Sequence, residues 1–197
     1  MTVKSIRRAI FLDRDGTISP DEFGYIKDPD LYHLYPETPD ALRIFKELGY
    51  LIFIVTNQSG IARGYLNLAQ LDKVHEKMLR LISDAGIQLD GIYFSPYHID
   101  GIVQPYNIDH EDRKPGIGMF KQASAEYSFD PCQSFMIGDR GTDIGFAQNS
   151  NMKSILLLSG NGKEEMGKLI SSDAEYKPDF ICENILTAAE MIKRFFS

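Results

Sequence analysis

The most informative stretch of this 197-residue chain is AIFLDRDGT, at positions 9–17. Four consecutive apolar residues precede two aspartates, Asp13 and Asp15, and Gly16 follows them. A short, continuously apolar run is typical of a strand that is buried on both faces of a parallel sheet. In extended backbone, side chains two positions apart point the same way, so both carboxylates are predicted to face one centre. The stretch therefore predicts a buried strand that ends in an acidic site.

Four further apolar runs resemble the first and alternate with segments of helical periodicity. The predicted strands cover residues 9–12, 51–55, 91–94, 134–137 and 154–158. The predicted helices cover residues 39–48, 68–85, 117–127, 142–148 and 185–196, with Asn184 as the N-cap of the last. Strands separated in this way by helices predict a doubly wound α/β fold, in which helices cover both faces of a parallel sheet.

The composition is that of a soluble globular protein without a membrane or nucleic-acid partner. Hydrophobic residues make up 43% and charged residues 25% of the chain, its mean hydropathy is -0.22, and no apolar run is long enough to span a bilayer. A net charge of -7 argues against broad binding to a phosphate backbone, which requires clustered Lys and Arg. An anionic substrate is therefore expected to need a local basic site.

Length and cysteine content indicate one cytoplasmic domain. The chain is long enough for one well-buried core, and no repeat or linker divides it. We expect a single domain over residues 1–197, with an irregular insertion at about 96–112, and a monomer. Cys132 and Cys182 lack metal-ligand spacing, which favours a reducing cytosol. The apolar run after Arg7 and Arg8 is too short for a signal peptide.

Polar residues follow three of the predicted strands, and two cations end an irregular segment. TNQSGIARG (residues 56–64) follows the second strand, GDRGTD (138–143) follows the fourth, and RKP (113–115) precedes a helix. The carboxyl ends of parallel strands meet at one edge of a doubly wound sheet, where ligands bind. Arg113 and Lys114 supply the local positive charge that this acidic chain requires. The sequence therefore predicts one site that combines carboxylates, a threonine and two cations.

These groups predict phosphoryl-transfer chemistry. Asp13, Asp139 and the backbone carbonyl of Asp15 offer the hard oxygen ligands that Mg²⁺ prefers in proteins. With Thr56 and Lys114 stabilising the phosphoryl group, Asp13 is predicted to attack phosphorus and form an aspartyl phosphate. Asp15 is predicted to protonate the leaving oxygen and then to deprotonate the attacking water.

The same segments resemble the four motifs of the haloacid-dehalogenase superfamily. DxDGT matches residues 13–17, the threonine after the second strand is Thr56, the lysine is Lys114, and GDxxxD matches residues 138–143. The last acid of that motif, Asp143, is a further candidate metal ligand. The resemblance covers almost the whole chain and implies a Rossmannoid three-layer α/β/α sandwich. Because dehalogenases lack the second acid, Asp15 favours phosphate chemistry, and residues 18–36 are too few for a large cap domain.

Within the superfamily, the strings DRDGT, TNQSGIARG and RKPG are most similar to the D-glycero-D-manno-heptose 1,7-bisphosphate phosphatases, with histidinol-phosphate phosphatases as near relatives. The resemblance implies a sugar bisphosphate as the substrate, a role in carbohydrate metabolism, and substrate recognition by Arg113 in the catalytic site. It also implies that residues 21–25 and polar residues of the other motifs border the substrate. These residues are Asp21, Gly24, Tyr25, Asn57, Gln58, Ser59, Arg63 and Arg140.

One departure from these relatives concerns zinc. They usually carry a zinc loop of pattern CxH followed by CxC before RKP, and the corresponding positions here are Ser95, Tyr97, His110 and Asp112. A tetrahedral structural zinc site needs deprotonated Cys or well-placed His. We therefore expect Mg²⁺ as the cofactor and no zinc. The loop is then expected to pack through its apolar residues, Tyr97, Ile102, Tyr106 and Ile108.

Three other functions are alternatives to the sugar-bisphosphate phosphatase. A histidinol-phosphate phosphatase would differ only in what fills the leaving-group side of the site. The altered loop also fits a catalytically idle scaffold used for binding, although such a scaffold would not need the complete set of catalytic motif residues. A nucleic-acid 3′-phosphatase is disfavoured by the acidic net charge.

Overall fold

A six-stranded parallel sheet forms the centre of the protein. The computed structural model describes residues 7–21, 24–171 and 173–196. The strands in these ranges are β1 (Ala9–Leu12), β2 (Leu51–Asn57), β3 (Gly91–Ser95), β4 (Phe135–Gly138), β5 (Lys153–Leu157) and β6 (Phe180–Cys182). Their order is β3-β2-β1-β4-β5-β6, and every neighbouring pair is parallel. The order reverses between β1 and β4, which is where ligands bind in such sheets.

Helices cover both faces of the sheet. In the described part of the chain they are α1 (Thr38–Glu47), α2 (Leu68–Asp84), α3 (Gly118–Glu126), α4 (Gly141–Asn149), α5 (Gly162–Leu169) and α6 (Ile185–Phe196). Ile10 and Leu12 of β1 pack in a hydrophobic core with residues of α1, α2 and α6. Ala9 and Phe11 point to the other face, where they pack with α3 and α4. The structure is therefore the predicted three-layer α/β/α sandwich.

The structure adds two elements that the sequence analysis missed, β6 and α5. β6 has three residues and lies at the edge of the sheet, where none of its residues is fully buried. Within α5, only Gly162 and Leu169 are buried. Both elements bury too few apolar residues to produce a clear hydrophobic pattern. The predicted cap of α6 is confirmed, since Asn184 Oδ1 accepts a hydrogen bond from the Thr187 backbone N–H at 3.0 Å.

The carboxyl edge of the sheet is not covered by a large cap domain in the described part of the chain. Between β1 and α1, the described residues contain only a 3-10 turn, Pro29–Leu31. The segment from residue 96 to 117 contains neither helix nor strand. Cys132 and Cys182 are both free thiols. None of the described helices combines the length and the apolar character required to cross a bilayer.

Candidate active site

A cavity of about 450 Å³ lies at the carboxyl ends of β1, β2 and β4, within the size range of small-molecule sites. Most of the residues predicted from the sequence line it. They are Asp13, Asp15, Asp21, Gly24, Tyr25, Thr56, Asn57, Gln58, Ser59, Arg63, Arg113, Lys114 and Arg140. The other two, Asp139 and Asp143, are fully buried next to Asp13. Glu22 and Phe23, within the predicted substrate border at 21–25, lie outside the described residues.

Three buried aspartates form a compact cluster beside the cavity. One carboxylate oxygen from each of Asp13, Asp139 and Asp143 lies within 4.8 Å of the others. Two glycines allow this close approach. Gly16 has a φ of +81°, and a Cβ at this position would lie 2.2 Å from Asp139 Oδ2. A Cβ on Gly138 would lie 2.2 Å from Asp143 Oδ2, so a larger residue at either position would displace the cluster.

Lys114 forms ion pairs with two of these aspartates. Its ammonium group lies 3.0 Å from Asp13 Oδ1 and 2.6 Å from Asp143 Oδ1, and it donates to the Val55 carbonyl at 2.7 Å. Burial alone would lower the pKa of Lys114, but Asp13 and Asp143 raise it above its ordinary value. Lys114 is therefore a fixed positive charge at the bottom of the cavity.

Among the described residues, the remaining contacts of the cluster leave one fully buried carboxylate oxygen without an ion pair or a hydrogen bond. The backbone N–H of Arg140 donates to Asp143 Oδ2 at 3.0 Å, so both oxygens of Asp143 are occupied. Asn161 donates twice to Asp139 Oδ2, from its backbone at 2.7 Å and from its side chain at 3.0 Å. Asp139 Oδ1 is buried and has no hydrogen-bond partner among the described residues. An unpaired buried carboxylate oxygen is costly unless a cation reaches it.

Negative charge in the cluster exceeds the positive charge that Lys114 supplies. Burial, together with the charges of Asp143 and Asp139, raises the pKa of Asp13 to about 7, although Lys114 opposes the shift. Burial and Asp143 likewise raise the pKa of Asp139 to about 6, against the hydrogen bonds from Asn161. A divalent cation would stabilise both ionised carboxylates, so this donor set fits Mg²⁺.

Asp15 and Thr56 are joined by a hydrogen-bonded chain at the opposite side of Asp13. The Asp15 carboxylate accepts two hydrogen bonds from the Arg14 guanidinium, at 2.9 and 2.8 Å. Gln58 Nε2 donates to Asp15 Oδ2 and to Thr56 Oγ1, both at 2.9 Å. The side chain of Asp15 is therefore not part of the aspartate cluster, which leaves its backbone carbonyl as the predicted metal ligand.

Some residues predicted to border the substrate also make contacts within the protein. The side chain of Asn57 exchanges two hydrogen bonds with the backbone of Lys114, at 3.0 and 3.2 Å. Asn57 therefore holds Lys114 in position, and Gln58 is buried between Asp15 and Thr56. These contacts across the cavity wall depend on the folded chain and have no signature in the sequence.

A group of partly exposed basic side chains also lines the cavity; we call Arg63, His98 and Arg113 the cationic rim. Arg63 Nη2 lies 2.9 Å from His98 Nε2, and Arg113 donates to the Tyr97 carbonyl at 3.4 Å. Burial and the charge of Arg63 lower the pKa of Arg113. Among the described residues, no carboxylate lies within salt-bridge distance of either guanidinium. The rim therefore presents two neighbouring positive charges that no described carboxylate pairs.

Other predicted border residues contact one another at the mouth of the cavity. Arg140 donates to Asp21 at 2.9 Å, and the hydroxyl of Tyr25 lies 3.3 Å from that of Ser59. The Tyr25 ring packs against the exposed Tyr65 with 4.9 Å between centroids. Gly24 also lines the cavity and is exposed. Asp21 neutralises the charge of Arg140, whereas the two guanidinium groups of the rim have no carboxylate partner among the described residues.

The loop between β3 and α3 packs differently from the prediction. Tyr97 stacks on His110 at 3.9 Å and contacts Tyr106 at 5.9 Å between ring centroids. Ile102 and Ile108, which we expected to pack in this loop, are 78% and 44% exposed. The prediction was wrong for these two residues because aromatic stacking and backbone hydrogen bonds organise the loop. Ile102 and Val103 donate their N–H groups to the Ala62 carbonyl.

The sequence analysis overlooked four residues at the site. His98 and Thr142 line the cavity, Arg14 binds Asp15, and Asn161 binds Asp139. Asn161 follows β5 through a glycine, so the rule that site residues follow strands would have found it. Arg14 and Thr142 lie inside two of the predicted motifs, but their positions in the site, like that of the loop residue His98, have no local sequence pattern.

Known proteins share both the sequence and the fold of this chain. The HAD-hydrolase-like family model matches residues 112–188. A D-glycero-beta-D-manno-heptose-1,7-bisphosphate 7-phosphatase of Pasteurella multocida is 38% identical over 95% of this chain and 98% of its own length. The Escherichia coli K12 protein of the same name is 36% identical over 94% of both chains. The D,D-heptose 1,7-bisphosphate phosphatase of B. bronchiseptica, solved in complex with magnesium and phosphate, has a TM-score of 0.82 at 27% identity, covering 95% of this chain and 98% of that one.

Proposed function

This chain belongs to the haloacid-dehalogenase-like phosphatases, and from this membership we propose that it removes one phosphate from a sugar bisphosphate such as D-glycero-D-manno-heptose 1,7-bisphosphate. The observation that carries the proposal is that the cavity lining contains two groups of side chains suited to a phosphate. Asp13, Thr56 and Lys114 form the first group, which we call the reaction end, and the cationic rim forms the second. A substrate with two phosphates can contact both groups. The names of the relatives support the same substrate class.

The second phosphate is proposed to bind Arg63 and Arg113. A guanidinium group offers paired donors that match phosphate geometry, and a dianion between two like charges relieves their repulsion. Histidinol phosphate, the closest alternative, carries a protonated amine instead of a second phosphate. That cation would face the two unpaired guanidinium groups, so the rim disfavours this alternative.

Magnesium is proposed as the cofactor, held by Asp13, Asp139 and the backbone carbonyl of Asp15. Two observations support this assignment: Asp139 Oδ1 has no hydrogen-bond partner in the part of the chain that the structure describes, and the pKa values of Asp13 and Asp139 are raised. Asp143 belongs to the same cluster, but its two oxygens already bind Lys114 and the backbone of Arg140. When bound, Mg²⁺ supplies positive charge to the phosphoryl oxygens.

The reaction is proposed to proceed in two steps. In the first, an oxygen of Asp13 forms a bond to phosphorus, the ester P–O bond breaks, and Asp15 gives a proton to the departing sugar oxygen. In the second, water forms a bond to phosphorus, the Asp13–phosphorus bond breaks, and Asp15 takes up a proton from the water. In both steps, Thr56 donates a hydrogen bond to a phosphoryl oxygen, and the charge of Lys114 stabilises the phosphoryl group. The net products are the sugar monophosphate and inorganic phosphate.

The loop at residues 96–112 is proposed to hold its shape without zinc. The stack of Tyr97 on His110 supports this, because these are two of the positions at which the relatives carry zinc ligands. Ser95, a third position, is buried in β3 and has no thiolate to offer. We also propose that residues 1–197 form one domain and that the enzyme is a cytoplasmic monomer, on the grounds of length and cysteine content.

The proposal is tested by phosphate release from the purified protein in the presence of Mg²⁺. Heptose 1,7-bisphosphate, the two heptose monophosphates and histidinol phosphate are compared by kcat/KM, and ³¹P NMR identifies which phosphate leaves. We expect the bisphosphate to exceed each monophosphate by about tenfold or more, equivalent to about 1.4 kcal/mol from the rim. The Asp13→Asn variant should release no phosphate.

Each other outcome has a defined meaning. Preference for histidinol phosphate would replace the proposed substrate with the alternative. Equal turnover of bisphosphate and monophosphates would remove the role of the cationic rim. Absence of release from every compound would favour a scaffold that binds without catalysis.

A further inference from the structure

Arg14 is a buried cation that the proposed mechanism does not use. It lies between the two catalytic aspartates in the sequence, and its side chain is 1% exposed. Burying a guanidinium is costly unless it is paired and hydrogen-bonded. A charge retained at this depth needs an explanation beyond packing.

The contacts of Arg14 converge on Asp15. Arg14 Nε donates to Asp15 Oδ1 at 2.9 Å and Nη2 donates to Oδ2 at 2.8 Å, a bidentate arrangement that fixes the plane of the carboxyl group. Among the described residues, Asp15 is the only carboxylate within salt-bridge distance of Arg14. The Tyr32 ring lies 5.8 Å from the guanidinium carbon. His75 on α2 does not compete for the carboxylate as a cation, because burial lowers its pKa to about 3.

Gln58 completes this arrangement from the side of β2. Its Nε2 group donates one hydrogen to Asp15 Oδ2 and the other to Thr56 Oγ1, and its side chain is buried. A carboxylate oxygen has two acceptor positions. Both positions of Asp15 Oδ2 are therefore occupied, by Arg14 and Gln58, whereas Oδ1 has one position left. Thr56 accepts from Gln58, so its own hydroxyl hydrogen is available to donate.

We propose that Arg14 and Gln58 are positioning residues that restrict the proton carried by Asp15 to the Oδ1 oxygen and direct the hydroxyl hydrogen of Thr56 toward the phosphoryl group. The inference rests on the proposed function, since it concerns the acid of the same phosphatase reaction. Asp15 donates the proton from Oδ1 to the leaving oxygen as the ester P–O bond breaks. Arg14 and Gln58 act through Asp15 and Thr56 and take no part in bond making or breaking.

The test compares two esters that differ in their need for an acid. The sugar alkoxide released from heptose 1,7-bisphosphate is a poor leaving group that requires protonation, whereas p-nitrophenolate departs without a proton. The quantity measured is kcat/KM, which reports the steps through departure of the leaving group. We expect Arg14→Met to lower kcat/KM for the sugar ester about 10²-fold more than for p-nitrophenyl phosphate. We expect Asp15→Asn to show the same difference between the two esters. Gln58→Met should act in the same direction, by about tenfold.

A double variant separates positioning from folding. If Arg14 acts through Asp15, Arg14→Met combined with Asp15→Asn should be no slower on the sugar ester than Asp15→Asn alone. Arg14→Lys, which keeps the charge but loses the bidentate contact, should recover part of the loss and also covers the case in which Arg14→Met does not fold. Arg43→Met, an exposed arginine of α1, is the matched control and should leave both esters unchanged.

The results distinguish this inference from the proposed function. Equal losses on both esters, or losses in the double variant that add, would show that Arg14 is only structural and would overturn the inference while the phosphatase activity stands. If the unmodified protein hydrolyses p-nitrophenyl phosphate but not the bisphosphate, the substrate is wrong, and glucose 6-phosphate replaces it as the sugar ester. Hydrolysis of no ester by the unmodified protein would overturn both.

Discussion

The reaction end and the cationic rim of the cavity are built in different ways. Asp13 and Lys114 at the reaction end are 7% and 2% exposed. Asp13 directly follows β1, and Lys114, although it lies on the same loop as Arg113, is held by the Val55 carbonyl of β2 and by Asp143 of α4. Arg63 and Arg113 are partly exposed, lie on loops and have no carboxylate partner among the described residues. Loops tolerate change unless a rigid element holds their side chains. The comparison indicates that contacts with the sheet and α4 position the catalytic groups, whereas less constrained loop side chains are suited to selecting the substrate.

The largest expected effect is at the reaction end. Lys114→Met leaves Asp13 and Asp143 without their shared cation and removes a positive charge that stabilises the phosphoryl group, so kcat should fall about 10³-fold. The control is Lys121→Met, an exposed lysine of α3 paired with Glu111, which should retain full activity. Phosphate release under saturating substrate measures both. If Lys114→Met kept kcat within about tenfold of the unmodified protein, Lys114 would contribute less to the chemical step than we infer.

At the rim, a change should alter binding rather than catalysis. Arg113→Met should raise KM for the bisphosphate by about 10- to 100-fold, a loss of about 1.4 to 2.7 kcal/mol, and Arg63→Met should have a similar effect. KM for the heptose 7-phosphate should stay unchanged, because that compound has no second phosphate. Arg80→Met, exposed on α2, serves as the control. Equal increases in KM for both compounds would show that the rim does not distinguish the second phosphate.

The smallest effect is expected from the loop that supports the rim. Tyr97→Ala removes the stack on His110, so the free energy of unfolding should decrease by about 0.5 to 1.5 kcal/mol beyond the loss of buried area, with a few-fold rise in KM for the bisphosphate. Ile102→Ala, on the same loop but 78% exposed, should change neither quantity. Urea unfolding measures the first and phosphate release the second.

A zinc chelator tests whether a metal holds the loop at residues 96–112. The chelator should leave the unfolding curve of the unmodified protein unchanged, since stacking is proposed to hold the loop. A chelator that destabilised the unmodified protein, but not Tyr97→Ala, would show that a metal and not the stack organises the loop.

Sequence analysis predicted the core of the fold better than its edge. β1 and α6 begin and end where the sequence placed them, because each carries an uninterrupted apolar pattern. β6 and α5 were missed because both bury few side chains. The same contrast holds at the site. Asp13 follows β1 and Thr56 lies near the end of β2, and both were found, whereas His98 belongs to a loop without a period and was missed.

The sequence was sufficient to predict most of the residues that meet at the edge of the sheet. The approximate bounds of five strands follow from hydrophobic periodicity, and periodicity is a local property of the chain. Only the tertiary structure determined which of those residues contact one another. Arg14 and Gln58 bind Asp15, Asn57 holds Lys114, and Asp143 binds Lys114, while Asp139 keeps an oxygen without a hydrogen-bond partner among the described residues. Most of these contacts join residues far apart in the chain, and all of them depend on distances of a few ångströms that packing sets and no local pattern encodes.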